Sequence, residues 1–340
     1  MKKIITVLSI ILISSLTFAE SIKLPLDDLS KNFKNSKLIK ISSYTPSYQN
    51  PFLSIKDGSY KNSPIKIDAL ISYPQGSSFT SPFPLVVFSH SSDGPEIFSN
   101  VNYEFDKQMA KKLLKNGVAV MFLDNNTARE TKKPFSIYAN YIDSFMALQY
   151  LSKNPDVNIE KIGITGWSNG GNNSTIISEK RLRDILIDKN LSYAAALPRS
   201  VNCRSGGFFK NPQIIKETET LMVNGDQDEI NLSVHCINYV NSMKFEGANI
   251  ELITKRGWHH GFTGNFFPEY NAMKKNYSDC PAWYLLDDGR SNLSIGQDSC
   301  VKLGATFGGN KGIEFEEIFL KFFYKILFSF EPSDINPKIY

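Results

Sequence analysis

The chain has 340 residues, with 38 Lys and Arg against 34 Asp and Glu, a formal charge of +4 at neutral pH. The basic residues are scattered among acidic ones, which argues against a nucleic-acid partner and against a polybasic membrane patch. Apolar residues make up 41% of the sequence, and this supports an ample globular core.

In chain order, the basic start Met1-Lys2-Lys3 precedes an apolar run from Ile4 to Phe18 diluted by Ser and Thr, with small residues at Thr17 and Ala19. This reads as a Sec-type signal peptide over residues 1–19, too short and too serine-rich for an anchor. No Cys lies near the cleavage point for lipid attachment, and loss of Lys2 and Lys3 takes the charge to +2. The expectation is an exported protein, periplasmic or secreted, with no stable membrane anchor and one domain over residues 20–340.

Residues 20–60 are polar and read as an irregular lead-in. Ile65 to Tyr73 is strand-like, and the short apolar run Leu85 to Phe88 has the character of a strand buried on both faces. Phe105 to Leu114 fits a helix ended by Asn116-Gly117, and Val118 to Leu123 is the next buried strand. Tyr138 to Leu151 has helical spacing and stops before Pro155. Lys161 to Thr165 reads as a strand, with a helix over Asn172 to Lys180. Thr220 to Val223 and Ile250 to Ile253 are strand-like around a helix over Leu232 to Met243. Residues 263–311 are rich in Gly, Asn, Tyr and Asp and read as an irregular insertion. Its aromatic residues (Phe266, Phe267, Tyr270, Trp283 and Tyr284) suit either a lid or a surface appendage. The apolar stripe Phe315, Ile318, Phe319, Phe322, Phe323, Ile326 and Leu327 then predicts a helix packed on a sheet. Strands alternating with helices imply an α/β fold with a mostly parallel central sheet flanked by helices.

Four cysteines, Cys203, Cys236, Cys280 and Cys300, allow three pairings. The even count in an exported chain predicts two disulfides, and the local pairs Cys203–Cys236 and Cys280–Cys300 are expected. Neither C-x-x-C nor H-x-x-x-H occurs, so no metal is expected, and nothing calls for a cofactor.

The chemistry centres on Gly166-Trp-Ser-Asn-Gly-Gly171, a G-x-S-x-G pattern between a strand and a helix. Such a turn presents a serine hydroxyl above a sheet in a strained backbone that needs small neighbours. A serine needs a base in reach and a group to orient that base. Past the next strands come Asn224-Gly225-Asp226-Gln227-Asp228 and Trp258-His259-His260-Gly261-Phe262, in the order Ser, acid, His. Adjacent histidines in extended backbone point opposite ways, so only one of His259 and His260 can face Ser168.

Together, Gly166 to Gly171, the Gly-x-x-Asp at 225–228 and His260-Gly261-Phe262 resemble the dienelactone hydrolase family of α/β-hydrolases. Tyr193 to Cys203 and the Asp143 to Leu151 helix add to the likeness, which covers residues 64–262 and the last helix. The resemblance implies the α/β-hydrolase fold, with an insertion between the catalytic His and the last helix. It implies Ser168 as nucleophile, Asp228 as orienting acid and His260 as base, with Asp226 and His259 as second choices. The oxyanion hole would use the backbone N–H of Asn169 and one from the Ser89 to Gly94 loop, assigned to Ser92, with His90 bracing that loop. The family has His-Gly where this chain has His90-Ser91, and dienelactone hydrolases proper are cytosolic and use a cysteine nucleophile. The expected activity is therefore hydrolysis of a small-molecule carboxylic ester through an acyl-serine. A peptidase or amidase with the same triad, and a non-catalytic binding protein on a hydrolase scaffold, are the alternatives. The substrate and oligomeric state are not legible.

Overall fold

The computed structural model describes residues 25–328 apart from 77–78, 133–135, 205–206 and 292–297; the signal peptide expected over residues 1–19 lies outside the described residues. In chain order the elements are α1 (Pro25–Ser30), β1 (Ser36–Tyr44), α2 (Pro51–Lys56), β2 (Pro64–Ser72), β3 (Phe83–Ser89), α3 (Phe105–Lys115) and β4 (Ala119–Asp124). Next come α4 (Tyr138–Leu151), β5 (Val157–Trp167), α5 (Asn169–Ile176), α6 (Lys180–Leu186), β6 (Ala195–Arg199), β7 (Glu219–Gly225) and α7 (Ser233–Phe245). The chain continues through β8 (Ile250–Lys255), β9 (Glu269–Asn276), β10 (Lys302–Phe307) and α8 (Gly312–Phe328).

Eight strands form one sheet in the order β1-β2-β4-β3-β5-β6-β7-β8. β2 runs antiparallel to both neighbours, and every other pair is parallel. Both faces are covered, and the strand residues show why. Leu85 and Val87 face one core with Tyr141, Phe145 and Tyr239 from α4 and α7. Val86 and Phe88 face the other with Met109, Phe315, Phe319 and Phe323 from α3 and α8. A run with no polar alternation is what a doubly covered strand requires. The α8 stripe thus rests on the sheet, and Gly163 on β5 leaves room for Phe323, since a Cβ there would lie 2.6 Å from that ring. No helix among the described residues is long and apolar enough to cross a membrane.

Three segments differ from the sequence expectation. The lead-in is ordered, and β1 pairs with β2 along its whole length, Ser36 opposite Ser72 to Tyr44 opposite Pro64. Its alternation of Ile39, Ile41 and Ser43 inward against Leu38, Lys40 and Ser42 outward is that of an edge strand, where a serine takes one of the buried positions. The insertion also carries regular structure: β9 and β10 make a separate antiparallel pair. The helix after Ser168 runs from Asn169 to Ile176 rather than over Asn172 to Lys180, and a new helix, α6, begins at Lys180.

The structure joins Cys203 to Cys236 and Cys280 to Cys300. Two disulfides suit a chain that folds outside a reducing compartment.

Candidate functional site

The chain steps from β3 to β4 on one side of β3 and then to β5 on the other. Such a reversal opens a crevice at the carboxyl ends of the parallel strands. The loop after β3 and the turn after β5 both end there.

That turn carries Ser168, held at φ 55° and ψ −118° between β5 and α5. A serine at positive φ costs energy and persists only where its surroundings impose it. Here Ser168 N–H donates to Arg199 O of β6 at 3.1 Å, and Ser168 O accepts Asn172 N–H at 2.9 Å. The flanking glycines are needed for space. A Cβ at Gly170 would stand 2.1 Å from Ser89 O, one at Gly166 2.5 Å from the same atom, and one at Gly171 2.5 Å from Arg199 O. Ser168 is half-buried, and the side chain of Trp167 before it is buried.

The loops after β7 and β8 meet at the same edge. Asp228 is buried, and its Oδ1 accepts the N–H groups of Ile230 (3.1 Å) and Asn231 (2.7 Å). Its Oδ2 lies 2.9 Å from His260 Nδ1. An ionised carboxylate only accepts, so Nδ1 carries the proton and Nε2 is left as an acceptor. Among the described residues no hydrogen bond joins Ser168 Oγ to His260; in sites of this kind that bond often tightens only with substrate present. Asp226 lies elsewhere: it is exposed, and its Oδ1 accepts Gly257 N–H at 2.7 Å. His259 is turned away as well, with Nδ1 3.0 Å from Gln227 O.

Asn169 opens α5, so its N–H belongs to the first helical turn, which has no intrahelical acceptor. In the β3 loop, Asp93 N–H donates to Ser91 Oγ and Gly94 N–H to Ser91 O, while Ser92 is exposed. His90 is buried beneath. Its Nδ1–H donates to Ser91 O at 2.7 Å, and its Nε2 accepts Asn125 N–H at 3.0 Å. Burial holds its pKa below the ordinary value. Both ring nitrogens are thus engaged by backbone, which makes His90 a brace for the loop.

The sequence reading missed two sets of residues. One is a buried chain of hydrogen bonds leading to the elbow helix: Asn173 Nδ2–H to Ser89 Oγ (2.8 Å), Ser89 Oγ–H to Asn125 Oδ1 (3.4 Å) and Asn125 Nδ2–H to Asp143 Oδ2 (3.0 Å). Arg129 closes it with two bonds to the Asp143 carboxylate, 2.6 and 2.8 Å. The other is an aromatic cluster around His260 in which Trp167, Tyr103 and Phe307 join Phe266, one of the insertion aromatics. The Tyr103 ring stacks on Trp167 at 5.6 Å, and burial together with the nearby Asp93 charge pushes its phenol up to about 12.

No family profile and no curated protein matches the sequence. Among solved structures, the apo form of Thermogutta terrifontis esterase 2 is 17% identical, covering 59% of this chain and 82% of that one at a TM-score of 0.45. The same esterase phosphorylated by paraoxon is 16% identical, covering 59% of this chain and 81% of that one, also at 0.45. A candidate dienelactone hydrolase from Klebsiella pneumoniae is 13% identical, covering 67% and 89%, at 0.43. These scores are low, and the fold assignment stands on the chain itself. Its strand order, its one antiparallel inner strand and its strand–turn–helix elbow at the switch point are those of the α/β-hydrolase fold.

Proposed function

We propose that this chain is an exported serine hydrolase, acting on small-molecule carboxylic esters through an acyl-serine, with Ser168 as nucleophile, His260 as base and Asp228 as orienting acid. The observation that carries the reading is the 2.9 Å contact between His260 Nδ1 and Asp228 Oδ2, at the sheet edge where the strained Ser168 turn ends. His260 Nε2 takes the proton as Ser168 Oγ attacks the ester carbonyl, and Asp228 stabilises the imidazolium. The N–H groups of Asn169 and Ser92 stabilise the oxyanion. His260 then protonates the leaving alcohol and later activates water to release the acid. One domain carries this chemistry, with 263–311 as an insertion within it. The disulfides and the signal-like N-terminus support export.

The test is labelling by a fluorophosphonate probe. Wild type should label and turn over a short-chain aryl ester, while Ser168→Ala should do neither. Equal labelling of the two would defeat the proposal.

A further inference from the structure

The base has a support that the triad chemistry does not use. Phe307, the last residue of β10, sets its ring centroid 5.6 Å from that of His260, and Trp167 lies at the same distance. The two are 6.1 Å from each other, so the three rings form a nearly equilateral corner. The backbones are joined too: Phe307 bridges His260, and Gly308 N–H donates to His260 O at 2.7 Å. Gly261, at φ +70°, lets the ring lie close, since a Cβ there would come within 2.7 Å of it.

Glu229, the neighbour of Asp228, fixes where this arm sits. Its Oε2 accepts Thr306 N–H (2.9 Å) on β10, and its Oε1 accepts Asn276 Nδ2–H (3.1 Å) on β9. Glu229 O accepts Tyr277 N–H at 2.8 Å, and Asn276 Nδ2–H also reaches Gly304 O at 2.9 Å. Adjacent acids therefore hold the base and the arm that packs on the base. The bond from Asp228 fixes one point of the imidazole and leaves the ring free to tilt about it. Contacts along the ring remove that freedom.

We propose that Phe307 and Glu229 are positioning residues for His260: Glu229 clamps the β9–β10 arm to the acid loop, and the arm lays Phe307 against the imidazole. This rests on the Ser168–Asp228–His260 reading. A misplacement of about 1 Å in such a group costs on the order of 10²-fold in rate.

The experiment compares the oxidised full chain with Phe307→Ala, Phe307→Leu, Glu229→Ala and the double variant Glu229→Ala/Phe307→Leu, using p-nitrophenyl acetate, with folding followed by near-UV circular dichroism. Phe307→Ala and Glu229→Ala should each lower kcat by roughly 10- to 100-fold with KM within about twofold, and Phe307→Leu should fall between them and wild type. The double variant should be no slower than the slower of its two single variants, because both changes release the same brace. Losses that multiply would mean that Glu229 acts directly on Asp228, and would overturn the proposal. Wild-type kcat in folded Glu229→Ala and Phe307→Leu would also overturn it. Fluorophosphonate labelling of wild type and Ser168→Ala runs in parallel. Equal labelling would show that the triad reading itself has failed, and this proposal with it.

Discussion

Asp228 and His260 face each other at 2.9 Å, and the Asp228 oxygen that is not bonded to the imidazole takes two backbone N–H groups. The carboxylate is thereby fixed in position beneath the His260 imidazole. Asp226, two residues earlier, spends its charge on the Gly257 turn.

This division of labour separates two substitutions that look alike in sequence. Asp228→Asn removes the acceptor that keeps the proton on Nδ1, and should lower kcat by about 10³- to 10⁴-fold. Asp226→Asn and His259→Ala should stay within roughly threefold of wild type, because both side chains serve turns outside the catalytic edge. Aryl-ester turnover of the three variants checks this. A severe loss in Asp226→Asn with mild behaviour in Asp228→Asn would reverse the assignment of the acid.

The elbow glycines make a stability prediction. The atom facing a Cβ at Gly170 is the backbone carbonyl of Ser89, 2.1 Å away, at the carboxyl end of the β3–β5 pairing where Ser89 lies opposite Gly166. A carbonyl held in a sheet cannot swing aside as a side chain would. Gly170→Ala should therefore destabilise the fold by about 3 kcal/mol or more, and urea unfolding measures it. Gly257→Ala is the control: it meets only its own positive φ and no atom within 4 Å, so it should cost about 1 kcal/mol.

Strands buried on both faces and helices with one apolar stripe announce themselves in sequence, which is why the runs at Leu85–Phe88 and Val118–Leu123 and the stripe from Phe315 to Leu327 are readable. β1 is not, because one of its buried positions is Ser43, bonded to Asp143 on α4 rather than packed in oil. The serine turn and the acid and base loops are readable because each follows a strand in a fixed chain order. Glu229 and Phe307 carry no such signal. Glu229 is an acid among acids, and Phe307 one of 24 phenylalanines in the chain, so only the folded arm brings them to His260. Arg129 and Asp143 were missed as a pair for the same reason, since no regular spacing links a residue of the β4–α4 connection to one in α4.

His90 predicts a pH effect. Its folded pKa lies below the ordinary value near 6.5, because burial opposes the charge and Nε2 is committed as an acceptor. Below about pH 6.5 the unfolded chain binds a proton there that the folded chain refuses, so this group withdraws stability as the pH falls. Its contribution is intact above that pH. The limiting slope is about 1.4 kcal/mol per pH unit for one proton. Asp106, whose pKa burial raises, acts with the opposite sign at low pH, so the difference between wild type and His90→Gln isolates the histidine. Wild type should lose more stability than His90→Gln between pH 6.5 and 5, read by urea unfolding at each pH. Parallel curves would exclude His90 as the source.

Arg129 and Asp143 are both fully buried and joined by two hydrogen bonds. Removing one partner leaves an uncompensated charge in the core, so Arg129→Met alone should cost about 3–5 kcal/mol. Replacing both, as in Arg129→Met/Asp143→Leu, should recover stability to within roughly 1–2 kcal/mol of wild type, since an apolar pair often serves as well as a buried ion pair. Activity should not recover with it. The donors that run from Asn173 through Ser89 and Asn125 all point toward the Asp143 carboxylate, and an apolar side chain there ends the chain without an acceptor. Asn125 N–H also supports His90, and Asn173 lies in the helix that follows Ser168. The double variant should therefore fold well yet turn over ester roughly tenfold more slowly, with little change in KM. Urea unfolding and kcat measured on the same preparation separate the two effects. Full activity in a stable double variant would mean that the ion pair holds the fold alone and does nothing for the elbow.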